Sequence, residues 1–178
     1  EKHPNLSIEI YSESTHQIVR KLNNFSLDAG ILYFNNGDPE TTVKLYEERY
    51  VFIAPKSLTV SKEKQITWAE VAQIPLCLLT QNMKNRQLID RHFLDLGISP
   101  SIVTEASDFT AVLAQVAAGN AATIAPVSVA QTFLDLKSTK QLDLIRPVLT
   151  HSVGLSIKDQ SPVLPMIEAL RKAVKSAL

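Results

Sequence analysis

The stretch SIVTEASDFTAVLAQVAAGNAATIAPVSV, residues 101–129, decides the fold of this chain. Residues 101–105 read as a short strand, and a tight connection at 106–108 leads into a helix whose apolar positions recur at helical spacing from Phe109 onwards. Gly119 predicts the end of that helix, because glycine readily adopts the left-handed conformation in which helices often stop. AATIA then predicts a second strand, and Pro126 the first position of a second helix, through about residue 134. Two strand-to-helix units therefore follow one another directly.

These two junctions also indicate where a ligand would bind. In open α/β sheets, ligands lie beyond the carboxyl ends of the strands, where unpaired backbone N–H groups and the helix dipole favour anions and carboxylates. Ser107, Phe109 and Pro126 lie at those ends, and Ser107 or Asp108 is the predicted cap of the first helix. The alternative, which holds for most isolated junctions, is that these residues only cap helices and serve the fold.

The composition excludes several classes of protein. Hydrophobic residues make up 45% of the 178 positions, which is enough for a globular core. The 18 basic and 18 acidic residues cancel, so the chain carries no charge excess for nucleic acid or an anionic membrane. We find no apolar run long enough to span a bilayer and no hydrophobic signal segment near the N-terminus, and we therefore expect a soluble protein without a membrane partner. The single cysteine mildly favours a reducing compartment, and we expect the cytoplasm. Cys77, the single cysteine, is expected to be an inert core thiol.

Further α/β units are predicted on both sides of the opening stretch. The alternation in residues 6–12 predicts a half-buried strand, and a helix from Thr15 would place Ile18, Val19, Leu22 and Phe25 on one face. Residues 41–55 read as two consecutive strands, one partly exposed and one buried. Other predicted strands cover residues 27–34, 75–80, 142–149 and 151–158. Two other helices are predicted to begin at the cap Thr67 and at the caps Ser161 and Pro162. A third is predicted to begin after residue 86, with Ile89, Phe93 and Leu96 inside and Gly97 as the stop.

Polar side chains recur after two more of the predicted strands. Ser14 and Thr15 follow the strand at residues 6–12, and Thr80, Gln81 and Asn82 follow the buried strand PLCLLT. Hydroxyls, amides and helix N-termini together suit a small carboxylate or another oxyanion.

Catalytic and metal-binding signatures were not found in the sequence. It contains none of the motifs GxSxG, HExxH, CxxC, GxGxxG or GxxxxGK[ST]. Asp90 and Asp95 are five residues apart on a predicted helix and do not share a face, so they are not expected to form a carboxylate pair. The histidines have no spaced partners and are expected at the surface or at caps: His3, His16, His92 and His151. We therefore predict no enzyme, no cofactor and no metal.

Five phrases occur in an order and spacing that carry a family resemblance. They are HPNLSIEIYSEST (3–15), the segment 22–31 ending in LDAGI, ITWAEVAQIPL (66–76), FLDLGISPSIVTEASDF (93–109) and VAAGNAATIAPVSVA (116–130). Together they resemble the effector-binding domain of LysR-type transcriptional regulators, whose fold is that of type 2 periplasmic binding proteins. The resemblance implies two α/β lobes joined by two crossing strands, residues 1–54 with 150–178 and residues 55–149, and a cleft that binds a small-molecule inducer. A single flavodoxin-like sheet is the alternative.

The resemblance also implies the site and the partners. The effector would contact Ser14 and Thr15 in the first lobe and, in the second lobe, Thr80, Gln81, Asn82, Ser107, Phe109 and Pro126. Thr15 is the sharpest of these predictions, and its alternative is a residue that only caps a helix. The effector domains would pair as homo-oligomers about a two-fold axis. An extracytoplasmic solute-binding protein and a small α/β enzyme are the rival functions.

Two departures from the family pattern bear on these expectations. The chain lacks a strand and most of a helix that family members carry before the position of His3, and it lacks the winged helix-turn-helix through which DNA would be bound. The first lobe is therefore expected to be short of a central strand, either because the chain is a fragment or because something else fills that place. Its pairing is expected to be weaker than, or different from, that of an intact member. AAGNAATIAP also departs from the family's AAGxGIxxxP at Asn120 and Ala121, which leaves the path of the backbone after Gly119 open.

Overall fold

A computed structural model of the chain describes residues 7–34, 42–59, 64–133, 137–157 and 165–177. Backbone contacts divide the chain into two compact units, Glu1–Glu47 with Ser152–Leu178, and Glu48–His151. We call them unit 1 and unit 2. The chain passes between them within two strands, β2 (Thr42–Pro55) and β8 (Thr150–Ile157).

Unit 1 contains helix α1 (Thr15–Asn23), strand β1 (Ala29–Phe34) and helix α6 (Pro165–Ala177), together with parts of β2 and β8. Strand β1 pairs antiparallel with β8, so that Ala29 lies opposite Ile157. Its core is formed by aliphatic side chains of the strands and of α6, namely Val43, Leu45, Leu155, Ile157, Ile167, Leu170 and Val174. On α6, Glu168 and Lys172 form the i,i+4 ion pair that their spacing favours, at 3.9 Å.

Unit 2 is built on a mixed sheet flanked by helices. The strands are β3 (Gln65–Thr67), β4 (Leu76–Leu79), β5 (Ile102–Ala106), β6 (Thr123–Pro126) and β7 (Thr139–Ile145), and the helices are α2 (Trp68–Val71), α3 (Lys84–Asp95), α4 (Phe109–Ala117) and α5 (Val127–Phe133). Strand β2 pairs antiparallel with β6 and β7, β3 pairs parallel with β7, and β4 pairs parallel with β5. A parallel bridge from Leu76 to Ala122 places β4 beside the start of β6. Along these contacts the order is β5-β4-β6-β2-β7-β3, and β2 alone of these six runs in the opposite direction.

The hydrophobic core of unit 2 lies against the middle of β2. Tyr50, Val51, Phe52, Ile53 and Ala54 are all fully buried, because helices cover both faces of this part of the strand. The predicted mixed α/β fold class is confirmed, and so are the stops at Gly97 and Gly119, both of which have positive φ. No helix of the described residues has the length and apolarity needed to cross a membrane.

Three predicted strands differ in the structure. The segment 7–14 is not a strand, and Ile8 and Ile10 are 70% and 90% exposed; the alternating pattern was present, but no described strand pairs with this segment. The two strands predicted before Pro55 form the single continuous strand β2. The pattern changes from half-exposed to buried along it, but the backbone is not interrupted. The strand predicted at residues 142–149 instead covers Thr139–Ile145 and ends before the cis peptide bond of Arg146 and Pro147.

Several predicted side-chain positions also differ. Val19 and Phe25 are 41% and 56% exposed, so the inward face of α1 is narrower than its pattern predicts. Leu96 is the residue after α3 and is 37% exposed, so it does not lie inside as its spacing predicts. Pro126 is the last residue of β6, opposite Tyr50, and α5 begins one residue later than predicted. The predicted caps Ser161 and Pro162 lie outside the described residues.

Candidate functional site

The carboxyl ends of three neighbouring strands of unit 2 lie at one edge of its sheet. Strands β4, β5 and β6 run parallel, and the Thr80 amide donates to the Ala106 carbonyl at 3.0 Å where β4 and β5 end. Because the three strands run in the same direction, the ligand contacts predicted in the second lobe lie at this edge: Thr80, Gln81, Asn82, Ser107, Phe109 and Pro126. We call it the carboxyl edge.

The turn from β4 into α3 leaves a helix N-terminus without a side-chain cap. The Met83 amide donates to the Thr80 carbonyl at 3.0 Å, and α3 begins at Lys84 with no side-chain hydrogen bond from its N-cap, Met83. The first backbone N–H groups of an α-helix have no partner within the helix. Gln81 and Asn82 are exposed beside them. Amide side chains and unpaired backbone donors therefore meet at this turn.

The turn from β5 into α4 is capped by its own side chain. Asp108 Oδ1 accepts from the Ala111 amide at 2.9 Å, which identifies Asp108, and not Ser107, as the cap. Ser107 is exposed, and its hydroxyl makes only a long hydrogen bond of 3.4 Å to Asp108. Phe109 is half-buried and packs against the hydrophobic clusters on both sides of α4, so its ring contributes mainly to packing.

The turn from β6 into α5 already holds a carboxylate of the chain. Glu48 is 5% exposed, and its carboxylate accepts from the Ser128 hydroxyl at 2.8 Å and from the Ser128 amide at 3.5 Å. Glu48 therefore already pairs with the start of α5. The predicted ligand contact at Pro126 stays a prediction. Sequence reasoning missed Glu48, which lies 80 residues from Ser128 in the chain and shares no local pattern with it.

In unit 1, Ser14 caps α1 and Thr15 does not. The Ser14 hydroxyl accepts from the Gln17 amide at 3.4 Å, and the Ser14 amide donates to the Gln17 side chain at 3.1 Å, so the two residues form a capping box. Ser14 is 7% exposed. Thr15 is the first helical residue and is half-buried. Ser14 is therefore the cap of α1, and the Thr15 hydroxyl has no capping role. A ligand contact by either residue stays a prediction.

Cys77 and the histidines form no metal-binding group in the described parts of the chain. Cys77 is fully buried and burial raises the pKa of its thiol, as expected of an inert core residue. His16 is exposed as predicted, whereas His92 packs on Trp68 with ring centroids 4.2 Å apart, and burial lowers its pKa. His3 lies outside the described residues.

A family model described as the LysR substrate binding domain matches residues 1–178. The chain belongs to the LysR substrate-binding domain family. This confirms the predicted family and, with it, the prediction of a ligand-sensing domain. The family is a class of effector domains of transcriptional regulators and not a class of enzymes.

Solved structures of LysR-type effector domains share the fold. The regulatory domain of CcmR from Synechocystis PCC6803, in complex with 2-PG, matches with a TM-score of 0.86 at 11% identity. The match covers 99% of this chain and 85% of the CcmR chain. The effector-binding domain of QuiR in complex with shikimate matches with a TM-score of 0.78 at 20% identity, over 98% of this chain and 82% of its own. At these identities the likeness shows the fold alone.

One curated relative is a probable RuBisCO transcriptional regulator from Trieres chinensis. It is 22% identical over 147 residues, which are 78% of this chain and 48% of the relative. The chain therefore spans about half of the length of that regulator.

Proposed function

We propose that the chain is the effector-sensing part of a bacterial, cytoplasmic, DNA-binding transcriptional regulator. The carboxyl edge of unit 2 carries this proposal, because it gathers polar side chains from separate strands beside an uncapped helix N-terminus. Family membership supports the proposal, and so do the small molecules bound by the QuiR and CcmR domains. DNA would be bound through another domain of the regulator, and the effector would change the assembly of the regulator on DNA.

We further propose that the effector is a small carboxylate or another small anion. Backbone N–H groups at the start of α3 favour negative charge, and Lys84 adds a positive charge in the first turn of that helix. Thr80, Gln81 and Asn82 offer a hydroxyl and two amides at the same turn, which can orient the ligand. Ser14, Thr15, Ser107, Phe109 and Pro126 complete the proposed set of contacts.

Isothermal titration calorimetry tests the sensor proposal. The panel would contain shikimate, 2-PG, inorganic phosphate, small dicarboxylates and the common amino acids, and we expect one anion to bind saturably at one site. Asn82→Ala should weaken that binding about tenfold, which corresponds to about 1.4 kcal/mol. Asn120→Ala is the matched control. Asn120 is also an exposed amide, but it follows the C-terminus of α4, whereas the carboxyl edge lies at the N-terminus of that helix. A panel member that is chemically turned over would contradict a purely sensory function.

Thr15→Val separates a ligand contact from a cap. Because Ser14 caps α1, we expect Thr15→Val to leave the free energy of unfolding nearly unchanged and to weaken binding of the panel anion about tenfold. Ser14→Ala should lower the free energy of unfolding by about 1 kcal/mol. Urea unfolding and calorimetry on the same samples measure both quantities. If Thr15→Val binds the anion as the parent does, Thr15 is not part of the site.

We also propose that the effector domain forms a homodimer through an isologous interface. Sedimentation equilibrium measures this directly, and a monomer at high protein concentration would contradict the proposal.

A further inference from the structure

Arg86, in the first turn of α3, carries a guanidinium group that is almost completely buried. Its side chain is only 4% exposed. Its Nη1 atom donates to the Leu79 carbonyl at 2.8 Å and to Glu105 Oε1 at 2.6 Å, and its Nε atom donates to the two oxygens of Asp90 at 2.8 and 2.9 Å. A buried charge is costly unless it is paired and hydrogen-bonded, and here one cation meets two carboxylates and a carbonyl.

The partners of Arg86 lie at the ends of two strands. Leu79 is the last residue of β4 and immediately precedes Thr80, and Glu105 lies in β5, two residues before Ser107. In the parallel pairing of β4 with β5, Leu78 lies opposite Glu105. One guanidinium therefore joins both strands at the carboxyl edge. Asp90, one turn later in α3, holds the guanidinium in this orientation.

We propose that Arg86 is a positioning residue of the effector site, which fixes the turn at Thr80–Asn82 and the start of the β5-to-α4 turn relative to each other. This inference rests on the proposed function. The turn from β4 to α3 begins after Leu79 and ends at the helix that carries Arg86. The hydrogen bond from the Arg86 guanidinium to the Leu79 carbonyl therefore joins the two ends of the turn. Displacement of the guanidinium would move Thr80, Gln81 and Asn82, although Arg86 itself would not contact the ligand.

The charge on Arg86 is secured by its surroundings. Burial alone would lower the Arg86 pKa, but hydrogen bonds with Glu105 and Asp90 outweigh burial and raise the pKa above its ordinary value. Asp90 and Glu105 are 39% and 38% exposed, so they keep contact with water while they pair with the cation. Lysine would retain the charge, but its single ammonium cannot reproduce the fork that reaches a carbonyl and two carboxylates together.

Amide hydrogen exchange tests the positioning role without a ligand. In Arg86→Lys we expect the Thr80 amide, which donates to Ala106, to exchange at least tenfold faster. The Cys77 amide should be unchanged, because it lies in the same strand but donates to Ala122 on the other side. Arg91→Lys is the matched control variant, since Arg91 forms the same i,i+4 ion pair on α3 with Asp95 while 72% exposed. Equal acceleration of both amides, or of neither, would overturn the proposal.

A second variant keeps the test valid if Arg86→Lys fails to fold. Glu105→Ala removes only the anchor on β5 and should accelerate exchange of the Thr80 amide, whereas Glu105→Gln, whose amide oxygen still accepts from Arg86, should restore slow exchange. Equal exchange in these two variants would contradict the proposal.

Calorimetry with the anion panel supplies the ligand readout. Arg86→Lys and Glu105→Ala should each weaken anion binding about tenfold, and Arg91→Lys should leave it unchanged. If no panel anion binds the parent chain, the proposed anion effector fails, while the exchange experiment still decides the role of Arg86. Tight anion binding by Arg86→Lys despite rapid exchange at Thr80 would show that Arg86 does not position the site.

Discussion

Trp68→Ala is expected to lower the free energy of unfolding by about 3–5 kcal/mol. Trp68 begins α2 and is 1% exposed in the core of unit 2. Its ring packs edge-on against Phe93 with centroids 5.0 Å apart, and its Nε1–H donates to the Pro147 carbonyl at 2.9 Å. Truncation removes this packing, leaves a cavity and deprives a carbonyl of its donor. Urea unfolding followed by far-UV circular dichroism measures the loss, because Trp68 is the single tryptophan and its fluorescence disappears in the variant.

Trp68→Phe separates the packing from the hydrogen bond. It keeps an aromatic ring against Phe93 but removes the Nε1–H donor, so we expect a smaller loss of about 1–3 kcal/mol. A loss below about 1 kcal/mol for Trp68→Ala, outside the range for a buried aromatic residue, would contradict the packing described for unit 2.

Gly30→Ala is expected to destabilise unit 1 by about 1–3 kcal/mol, the range for overpacking a core. A methyl group on Gly30 would lie 2.6 Å from the Ile18 Cγ2 atom and 3.3 Å from the Leu22 Cδ1 atom. Ile18 is β-branched and has little freedom to move away from β1 within a helix. The close approach of α1 to β1 therefore requires glycine at this position. Urea unfolding of the variant and of the parent measures the cost.

A double-mutant cycle identifies Ile18 as the cause. If the added methyl group clashes with Ile18, then Gly30→Ala should cost less in an Ile18→Ala background than in the parent. Gly97→Ala is a useful comparison, because Gly97 has a positive φ but nothing lies within 4 Å of a Cβ atom there. Its cost would come from the backbone alone. Additive effects of Gly30→Ala and Ile18→Ala, within about 0.5 kcal/mol, would show that the two residues do not clash.

Local sequence patterns predicted most of the secondary structure, because helix starts and stops depend on nearby residues. Asp108 and Thr67 cap α4 and α2, and Gly97 and Gly119 follow the ends of α3 and α4. The segment 7–14 shows the limit of such patterns. Alternating apolar residues give a strand an apolar face, but a strand also requires a neighbour to satisfy its backbone hydrogen bonds.

The candidate site was predicted from the sequence as a set of strand ends. That part depends on strand direction, which follows from the βα connections, and the structure brings the six residues of unit 2 to one edge. The role of each residue was not predictable in the same way. Ser14 rather than Thr15 caps α1, and Asp108 rather than Ser107 caps α4, because neighbouring polar residues offer equally plausible caps in sequence.

The sequence by itself determined the fold family, the order of the elements and the edge of the sheet to which polar residues converge, since these depend on periodicity and on turns between adjacent segments. Only the tertiary structure decided which charges meet. Glu48 reaches Ser128 from 80 residues away, and Arg86 reaches Glu105 from 19 residues away. Such pairs depend on strand order and register, which bring distant side chains within a few ångströms of each other and leave no local pattern in the chain.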